Sequence, residues 1–256
     1  MADKFAIVTG ASTGIGTELA RLAAADGYDL LLVADTPFVD PSVGIANART
    51  LEVDLATLEG VDRLLEAAGG RRIDLLCANA GHGLGGPFLD HAVSDWRHVI
   101  DTNVTGTIYL LQKILAKMVA QGEGKVLVTG SIAGWMPGSF SAVYNGSKAF
   151  IDNFTAAIRN ELKEHDGITI TTLEPGPVET EFFHRAGMDD TKVGQDDRKS
   201  DPADVAKDGW DALMAGKDTI ISGWKNKLQV AASGVLPQSV PAQLHRGMAE
   251  PGSGKD

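Results

Sequence analysis

The stretch Thr9-Gly10-Ala11-Ser12-Thr13-Gly14-Ile15-Gly16 decides the fold of this chain. It follows the apolar run Phe5–Thr9 and leads into a helix-like segment, Gly14–Asp26. Glycines at a strand–helix junction permit a tight turn and let the backbone approach a diphosphate closely, while unpaired N–H groups at the helix start face the anion. A plain strand–helix turn is the simpler alternative. The position at the first junction of a repeating pattern favours a dinucleotide site.

Short β-rich runs alternate with longer helical segments along the rest of the chain. The predicted strands are Phe5–Thr9, Asp29–Ala34, Arg49–Val53, Ile73–Ala78, Lys125–Thr129, Ile168–Leu173 and Thr219–Ser222. The predicted helices are Gly14–Asp26, Leu58–Ala68, Val93–Met118 (one helix or two), Tyr144–Glu164 and Pro202–Ala215. The early strands are continuously apolar, which is typical of strands covered on both faces. The pattern predicts an α/β fold: one domain over residues 1–250 with a parallel, doubly wound sheet flanked by helices.

Two segments depart from this alternation. Glu179–Asp201 is polar and charged but contains Phe182 and Phe183. It predicts a mobile excursion on the substrate side of the domain. Residues 251–256 are small and polar and predict a disordered tail.

Composition excludes several classes of function. The formal net charge of −11 argues against a nucleic-acid partner, and no basic run indicates a membrane surface. The single cysteine, Cys77, excludes an internal disulfide and a cysteine-based zinc site, and the six histidines lack zinc-motif spacing. We therefore expect no metal and no membrane association. Because the N-terminus lacks a signal-peptide pattern, we expect a cytoplasmic protein.

Asp35 extends the dinucleotide hypothesis. It closes the second predicted strand, where the hydroxyls of an adenosine ribose would lie. A carboxylate there accepts hydrogen bonds from both hydroxyls and repels a 2′-phosphate. No Arg or Lys stands beside it or within the glycine loop, which favours NAD over NADP. A solvated surface aspartate would give the same sequence pattern.

Tyr144 and Lys148 stand four residues apart in a predicted helix, and therefore on one face. The pKa of a free tyrosine is near 10, and a neighbouring ammonium stabilises the phenolate. Ser131 follows a predicted strand and lies thirteen residues before Tyr144. Alone, Ser131 would be a turn former and Lys148 a solvated lysine. Together they predict a catalytic site in the crevice at the ends of the strands.

These motifs resemble those of the short-chain dehydrogenase/reductase family, with six of them in the family's order over residues 5–180. The resemblance implies a Rossmann-type fold and NAD(P)-dependent hydride transfer between a secondary alcohol and a ketone, or an aldehyde substrate. It makes Tyr144 the acid or base and Ser131 the group that orients the substrate oxygen. Lys148 would lower the tyrosine pKa and hold the nicotinamide ribose. Asn103 would complete a proton relay through a main-chain water, although it also fits a helix kink.

The resemblance also implies the cofactor contacts. Besides Tyr144 and Lys148 these are Gly10, Ser12, Thr13, Gly14, Ile15, Gly16, Asp35, Asp54, Leu55, Asn79, Ala80, Gly81, Pro175, Gly176, Val178 and Thr180. For some of them a structural role fits equally well. Asp54 can cap the next helix, and Pro175-Gly176 can form a simple turn.

Substrate and assembly are less determined. Trp135, Met136, Phe182 and Phe183 predict an apolar or aromatic substrate pocket, although packing explains them as well. We expect a homo-oligomer, with Trp224–Met248 as a candidate surface. Three alternatives remain: a dinucleotide-binding regulatory protein without turnover, an epimerase or dehydratase of the extended branch of the superfamily, and an interaction protein. The spacing of Gly10, Gly14 and Gly16 disfavours the extended branch.

Overall fold

A computed structural model describes residues 4–38, 45 and 48–254. Within these ranges, parallel strands form one seven-stranded sheet in the order β3-β2-β1-β4-β5-β6-β7. The strands are β1 Phe5–Thr9, β2 Asp29–Ala34, β3 Ala48–Glu52, β4 Leu75–Ala78, β5 Gly124–Thr129, β6 Ile168–Glu174 and β7 Thr219–Ile221. The predicted doubly wound α/β fold is confirmed. Each predicted strand is present, with bounds that differ by at most two residues.

Helices cover both faces of this sheet. They are α1 Gly14–Ala25, α2 Leu58–Ala67, α3 Val93–Ile100, α4 Thr107–Gln121, α5 Ala142–Glu161, α6 Phe182–Arg185, α7 Pro202–Met214, α8 Trp224–Ser233 and α9 Ser239–Ala249. A π-helical turn, Asp101–Gly106, joins α3 to α4, so the predicted segment Val93–Met118 is two helices. No helix in the described ranges is both long enough and apolar enough to cross a membrane.

Alternate residues of the strands pack against opposite layers of helices. Phe5 and Ile7 of β1 belong to a core shared with α2, α4 and α5, whereas Ala6 and Val8 belong to one shared with α1 and α7. Because both faces are buried, the central strands are continuously apolar. Cys77 is fully buried in β4.

The order of the strands reverses between β1 and β4. After β1 the chain builds β2 and β3 on one side, and β4 returns to the other side of β1. A crevice forms at the carboxyl ends of the strands at such a switch point, and ligands of open α/β sheets bind there. The topology therefore fixes where the site lies.

The excursion Glu179–Asp201 has a small apolar core of its own. Phe183, Ala186 and Met188 pack with Ala249 of α9. Part of the predicted disordered tail contacts this excursion: the N–H groups of Gly252 and Gly254 donate to Asp190 at 2.7 and 2.8 Å. Residues 255–256 lie outside the described ranges.

Candidate active site

The glycine loop is shaped by contacts that leave no room for side chains. Gly10 and Gly14 have φ values of 63° and 60°, a backbone region that favours glycine. A Cβ added at Gly10 would lie 2.9 Å from Cα of Ala80, and one at Gly14 would lie 2.7 Å from Cγ2 of Thr180. At Gly16 it would lie 2.1 Å from the carbonyl oxygen of Gly10. The loop thus forms a cradle with exposed backbone, which fits the diphosphate of a dinucleotide.

One continuous cleft runs from this loop to the end of β5. All the predicted cofactor contacts except Gly16 line it. Gly16 lies beneath the loop, where its role is close packing. Ser131 lines the cleft as well. Among the predicted catalytic residues only Asn103 does not line the cleft, whereas its neighbour Thr102 does.

Asn79 ties the strand ends together below the loop. Its side-chain Nδ2 donates to the carbonyl oxygens of Thr9 and Gly10 at 3.2 and 3.3 Å, and its Oδ1 accepts from Thr129 Oγ1 at 3.0 Å. These bonds join the ends of β1, β4 and β5. They fix the floor of the cleft where the strand order reverses.

Ser131, Tyr144 and Lys148 come together at the far end of the cleft. Ser131 follows β5, and the other two side chains leave the same face of α5. Lys148 is buried and its Nζ donates to the carbonyl oxygen of Thr129 at 2.8 Å. The same Nζ lies 5.9 Å from the centre of the Tyr144 ring. The three side chains that the sequence groups by their spacing are therefore neighbours in the structure.

Burial dominates the protonation of this pair. Burial raises the pKa of Tyr144 to about 12, the Ser131 hydroxyl acts in the opposite direction, and Asp152 raises it further. Burial lowers the pKa of Lys148 to about 8, although the negative charge of Asp152 acts to raise it. The predicted lowering of the tyrosine pKa is not seen in the chain itself, because burial disfavours the charged phenolate. At neutral pH the phenol holds its proton.

Asn103 lies in the π-helical turn and connects three parts of the site. Its Oδ1 accepts from the N–H of His82 at 2.7 Å, and its Nδ2 donates to the carbonyl oxygen of His82 and to Ser147 Oγ, both at 2.9 Å. The side chain thus holds the loop after β4 against α5. This arrangement fits the helix-kink interpretation, and the relay role stays a prediction.

The adenosine end of the cleft holds partners that sequence reasoning missed. Asp35 Oδ2 lies 2.6 Å from Nε2 of His82, and this hydrogen bond is the main reason that the pKa of Asp35 is lowered. The His82 ring lies 4.6 Å from the His98 ring, and ligand atoms of all three residues lie within 4.8 Å of one another. Arg185 of α6 donates to Thr13 Oγ1 at 3.4 Å. A cation therefore reaches the glycine loop from a segment far away in sequence.

The walls near Tyr144 are mainly apolar. The ring of Phe182 lies 5.1 Å from that of Tyr144, and Met136, Phe183 and Met188 also line the cleft. Trp135 does not line it: its Nε1 donates to Glu174 Oε2 at 2.8 Å. The predicted pocket therefore keeps three of its four residues.

Helix α9 adds a polar group to this apolar region. His245 lines the cleft and its Nδ1 lies 2.8 Å from the carbonyl oxygen of Ser139. A carbonyl only accepts, so Nδ1 carries the proton. Burial lowers the pKa of His245, so the ring is neutral at pH 7 and its Nε2 is an acceptor. No sequence motif marks this residue.

Comparison with known proteins agrees with this geometry. The sequence profile of the short chain dehydrogenase family matches residues 4–191. An uncharacterized oxidoreductase of Staphylococcus aureus (strain N315) is 31% identical over 190 residues, which covers 70% of this chain and 80% of the relative. A short-chain dehydrogenase from Sphingobium yanoikuyae in complex with NADPH has a TM-score of 0.77 at 24% identity, with 92% of this chain and 97% of that one covered. One from Burkholderia phymatum in complex with NAD has a TM-score of 0.78 at 22% identity, with 90% and 92% covered.

The chain belongs to the short-chain dehydrogenase/reductase family of oxidoreductases. The two solved structures share its Rossmann-type fold. The predicted family and fold are confirmed. Substrate, reaction and cofactor preference are taken up as proposals.

Proposed function

We propose that this protein is an NAD(P)-dependent oxidoreductase that acts on a secondary alcohol and its ketone, or on an aldehyde, with Tyr144 as the acid or base. The observation that carries the proposal is one cleft with a glycine cradle at one end and Ser131, Tyr144 and Lys148 at the other. This combination suits proton transfer to a carbonyl oxygen beside a bound dinucleotide. A regulatory protein without turnover would not need Ser131, Tyr144 and Lys148 at the other end of the cleft.

The residues of the chain divide the chemistry between them. A bound nicotinamide supplies or accepts the hydride. Ser131 donates a hydrogen bond to the substrate oxygen and stabilises its developing negative charge. Tyr144 gives a proton to that oxygen in reduction and, as phenolate, takes one from the hydroxyl in oxidation. Lys148 holds positive charge beside the phenol. Because the pKa of Tyr144 is raised to about 12, the neutral-pH form of the side chain can donate a proton.

We infer that NAD is the preferred cofactor. Asp35 lines the cleft with its pKa lowered, so it is ionised at neutral pH and would repel a 2′-phosphate. The relatives with bound cofactor contain NADPH in one case and NAD in the other. Arg185 brings a positive charge to the same end and reduces this repulsion.

The lone, buried Cys77 suits a reducing compartment such as the cytoplasm.

The substrate class follows from the walls around Tyr144. Phe182, Phe183, Met136 and Met188 favour an apolar or aromatic body on the carbonyl compound. Nε2 of His245 is an acceptor in the neutral ring, so a hydroxyl or amide N–H remote from the carbonyl would gain a hydrogen bond.

The test compares Tyr144→Phe with Tyr109→Phe on a panel of apolar ketones, aldehydes and alcohols. Tyr109 is a matched control because its hydroxyl contacts Asp62 on the surface, away from the cleft. We expect kcat/KM to fall by about 10²- to 10⁴-fold in Tyr144→Phe, with NADH binding unchanged by fluorescence. Tight NADH binding without turnover of any compound by the unaltered protein would favour the regulatory alternative.

A further inference from the structure

Asp152 presents a buried carboxyl group that neither packing nor the proposed chemistry explains. It lies on α5, one helical turn after Lys148. Both carboxylate oxygens are buried, and neither has a hydrogen-bond partner among the residues that the structure describes. Leaving such a group without a partner costs free energy, and such exceptions are often functional.

The turn after β5 is built around this carboxyl group. A Cβ added at Gly130 would lie 1.8 Å from Oδ1 of Asp152, and one at Gly134 would lie 2.5 Å from Oδ2. Ser131 stands between these two glycines, and its backbone N–H lies close enough to lower the pKa of the carboxyl, although it makes no hydrogen bond of ordinary geometry with either oxygen. The aspartate therefore touches the segment that carries the catalytic serine.

The charges around Asp152 connect it to the catalytic pair. Burial and the charge of Glu174 raise its pKa to about 7, whereas the Lys148 ammonium and the Ser131 N–H act in the opposite direction. The positive charge of Arg159 in turn acts to lower the pKa of Glu174. Asp152 affects its neighbours as well, because its charge raises the pKa values of both Lys148 and Tyr144. No ion pair within 4 Å neutralises the Lys148 ammonium in the part of the chain that is described.

We propose that Asp152 is a positioning residue of the active site, whose buried carboxyl acts on Lys148 one helical turn away and on the turn that carries Ser131. Its negative charge keeps a proton on the buried lysine that desolvation would otherwise remove. The same charge adds to the rise in the pKa of the Tyr144 phenol that burial causes. Its effect on turnover rests on the proposed function, but its effect on Lys148 does not.

The direct test follows the titration of Lys148 by nuclear magnetic resonance in lysine-labelled protein, with the signal assigned through Lys148→Arg. The unaltered protein should show a midpoint near 8 and a second inflection near 7 from Asp152. In Asp152→Asn, which has the same shape, the second inflection should vanish and the midpoint should fall by about one pH unit. Glu161→Gln is the matched control, since it removes one negative charge from an exposed position at the end of the same helix.

The kinetic test uses the pH profile of kcat/KM. Because removal of a negative charge lowers the pKa of every acidic group nearby, both limbs of the profile should move to lower pH in Asp152→Asn, by about one unit. They should stay in place in Glu161→Gln. A merely structural role would lower activity without moving either limb.

Two outcomes would overturn the proposal. One is a Lys148 midpoint that is equal in Asp152→Asn and Glu161→Gln. The other is a single inflection for the unaltered protein, a result that depends on no variant and on no variant's folding. Because the resonance measurement needs neither substrate nor turnover, a failure of the proposed function leaves this test intact.

Discussion

At the scale of single residues, Asp35 has a partner that its place in the sequence does not suggest. His82 comes directly after the Asn79-Ala80-Gly81 stretch, and its ring reaches across the cleft to the carboxylate at 2.6 Å. One carboxylate oxygen is therefore engaged within the protein. We propose that the other accepts a hydrogen bond from a ribose hydroxyl of the cofactor.

We predict that Asp35→Asn binds NADH about tenfold more weakly and loses most of its preference for NADH over NADPH. The reason is that hydrogen bonds to a charged carboxylate contribute about 1.5–3 kcal/mol, and the repulsion of a 2′-phosphate disappears with the charge. Cofactor titration by fluorescence measures both effects. Asp26→Asn, after the end of α1, is the control. Tighter binding of NADPH than NADH by the unaltered protein would contradict the NAD preference.

Asp152 also makes stability depend on pH. Its pKa of about 7 in the folded protein lies above its ordinary value of 3.8, so the folded state holds a proton that the unfolded state releases between these values. The stabilisation is complete below pH 3.8 and is lost as pH rises through about 7. We predict that the free energy of unfolding in urea falls from pH 5 to pH 7, by up to about 1.4 kcal/mol per unit.

In Asp152→Asn this decline should become smaller, whereas Glu161→Gln should keep it in full. Burial also raises the pKa of Glu174, which adds to the decline, and lowers the pKa of His245, which opposes it; both contributions remain in the two variants. Lys148 does not interfere in this window, because its pKa is lowered from 10.5 to about 8 and its own contribution changes only at higher pH. A decline of equal size in Asp152→Asn would mean that other groups cause it.

Sequence reasoning works at this scale where residues act through local spacing. Tyr144 and Lys148 are four residues apart on one helix, so their proximity follows from helix geometry. The raised pKa of Tyr144 does not follow, because it depends on burial by segments that are distant in sequence. The same holds for Asp35 with His82, which are separated by 47 residues. Asp152 carries no motif at all.

At the scale of elements, the excursion packs closely against two glycines in the loop after β4. A Cβ at Gly83 would lie 2.5 Å from Cζ of Phe182 and 2.9 Å from Cβ of Ala186. A Cβ at Gly85 would lie 2.3 Å from Cγ of Met188, and the N–H of Gly85 donates to the carbonyl oxygen of Ala186 at 2.8 Å. The segment that carries Phe182 thus sits directly on this loop.

We predict that Gly83→Ala lifts Phe182 from its position beside Tyr144. Overpacking of this kind costs about 1–3 kcal/mol, and we expect a fall in kcat/KM of about tenfold, mostly through KM. Steady-state kinetics with NADH binding as a second measurement separates this effect from cofactor loss. Gly247→Ala in α9 is the control, because a Cβ there meets nothing within 4 Å. Equal kinetics in the two variants would refute a positioning role for this contact.

The elements themselves were predictable for a physical reason. Strands buried on both faces are short, apolar and bounded by polar or glycine-rich turns, so β1 and β2 match the predicted bounds in full. The join between α3 and α4 was not, because the π-helical turn has helical backbone angles at both ends and leaves the apolar pattern nearly continuous. The excursion looked polar since its core consists of few residues.

At the scale of the whole molecule, α8 and α9 leave large apolar side chains exposed. Trp224, Leu228 and Leu244 have exposed fractions of 67%, 61% and 63%. Large exposed apolar side chains on two consecutive helices make this region a candidate for an association site. We propose that a second copy of the chain covers it, in line with the homo-oligomer that the sequence predicts.

We predict that the double variant Leu228→Glu, Leu244→Glu raises the dissociation constant of the oligomer by about tenfold or more, because charges would be buried at its centre. Sedimentation velocity over a range of concentrations measures this constant. Leu58→Glu, with an exposed fraction of 51% on α2, is the control. An unaltered protein that stays monomeric at all concentrations would rule out the assembly.

The last helix has a consequence for how the protein is made. The cradle and the catalytic trio come from residues before 181, but His245, Met248 and Ala249 of α9 also form part of the cleft wall. Domains generally fold as units during synthesis. The core beneath the cradle therefore waits for α7, and this wall of the cleft waits until almost the whole polypeptide has left the ribosome. A message cut short by a few dozen codons would encode a protein that keeps the glycine cradle but lacks one wall of the cleft.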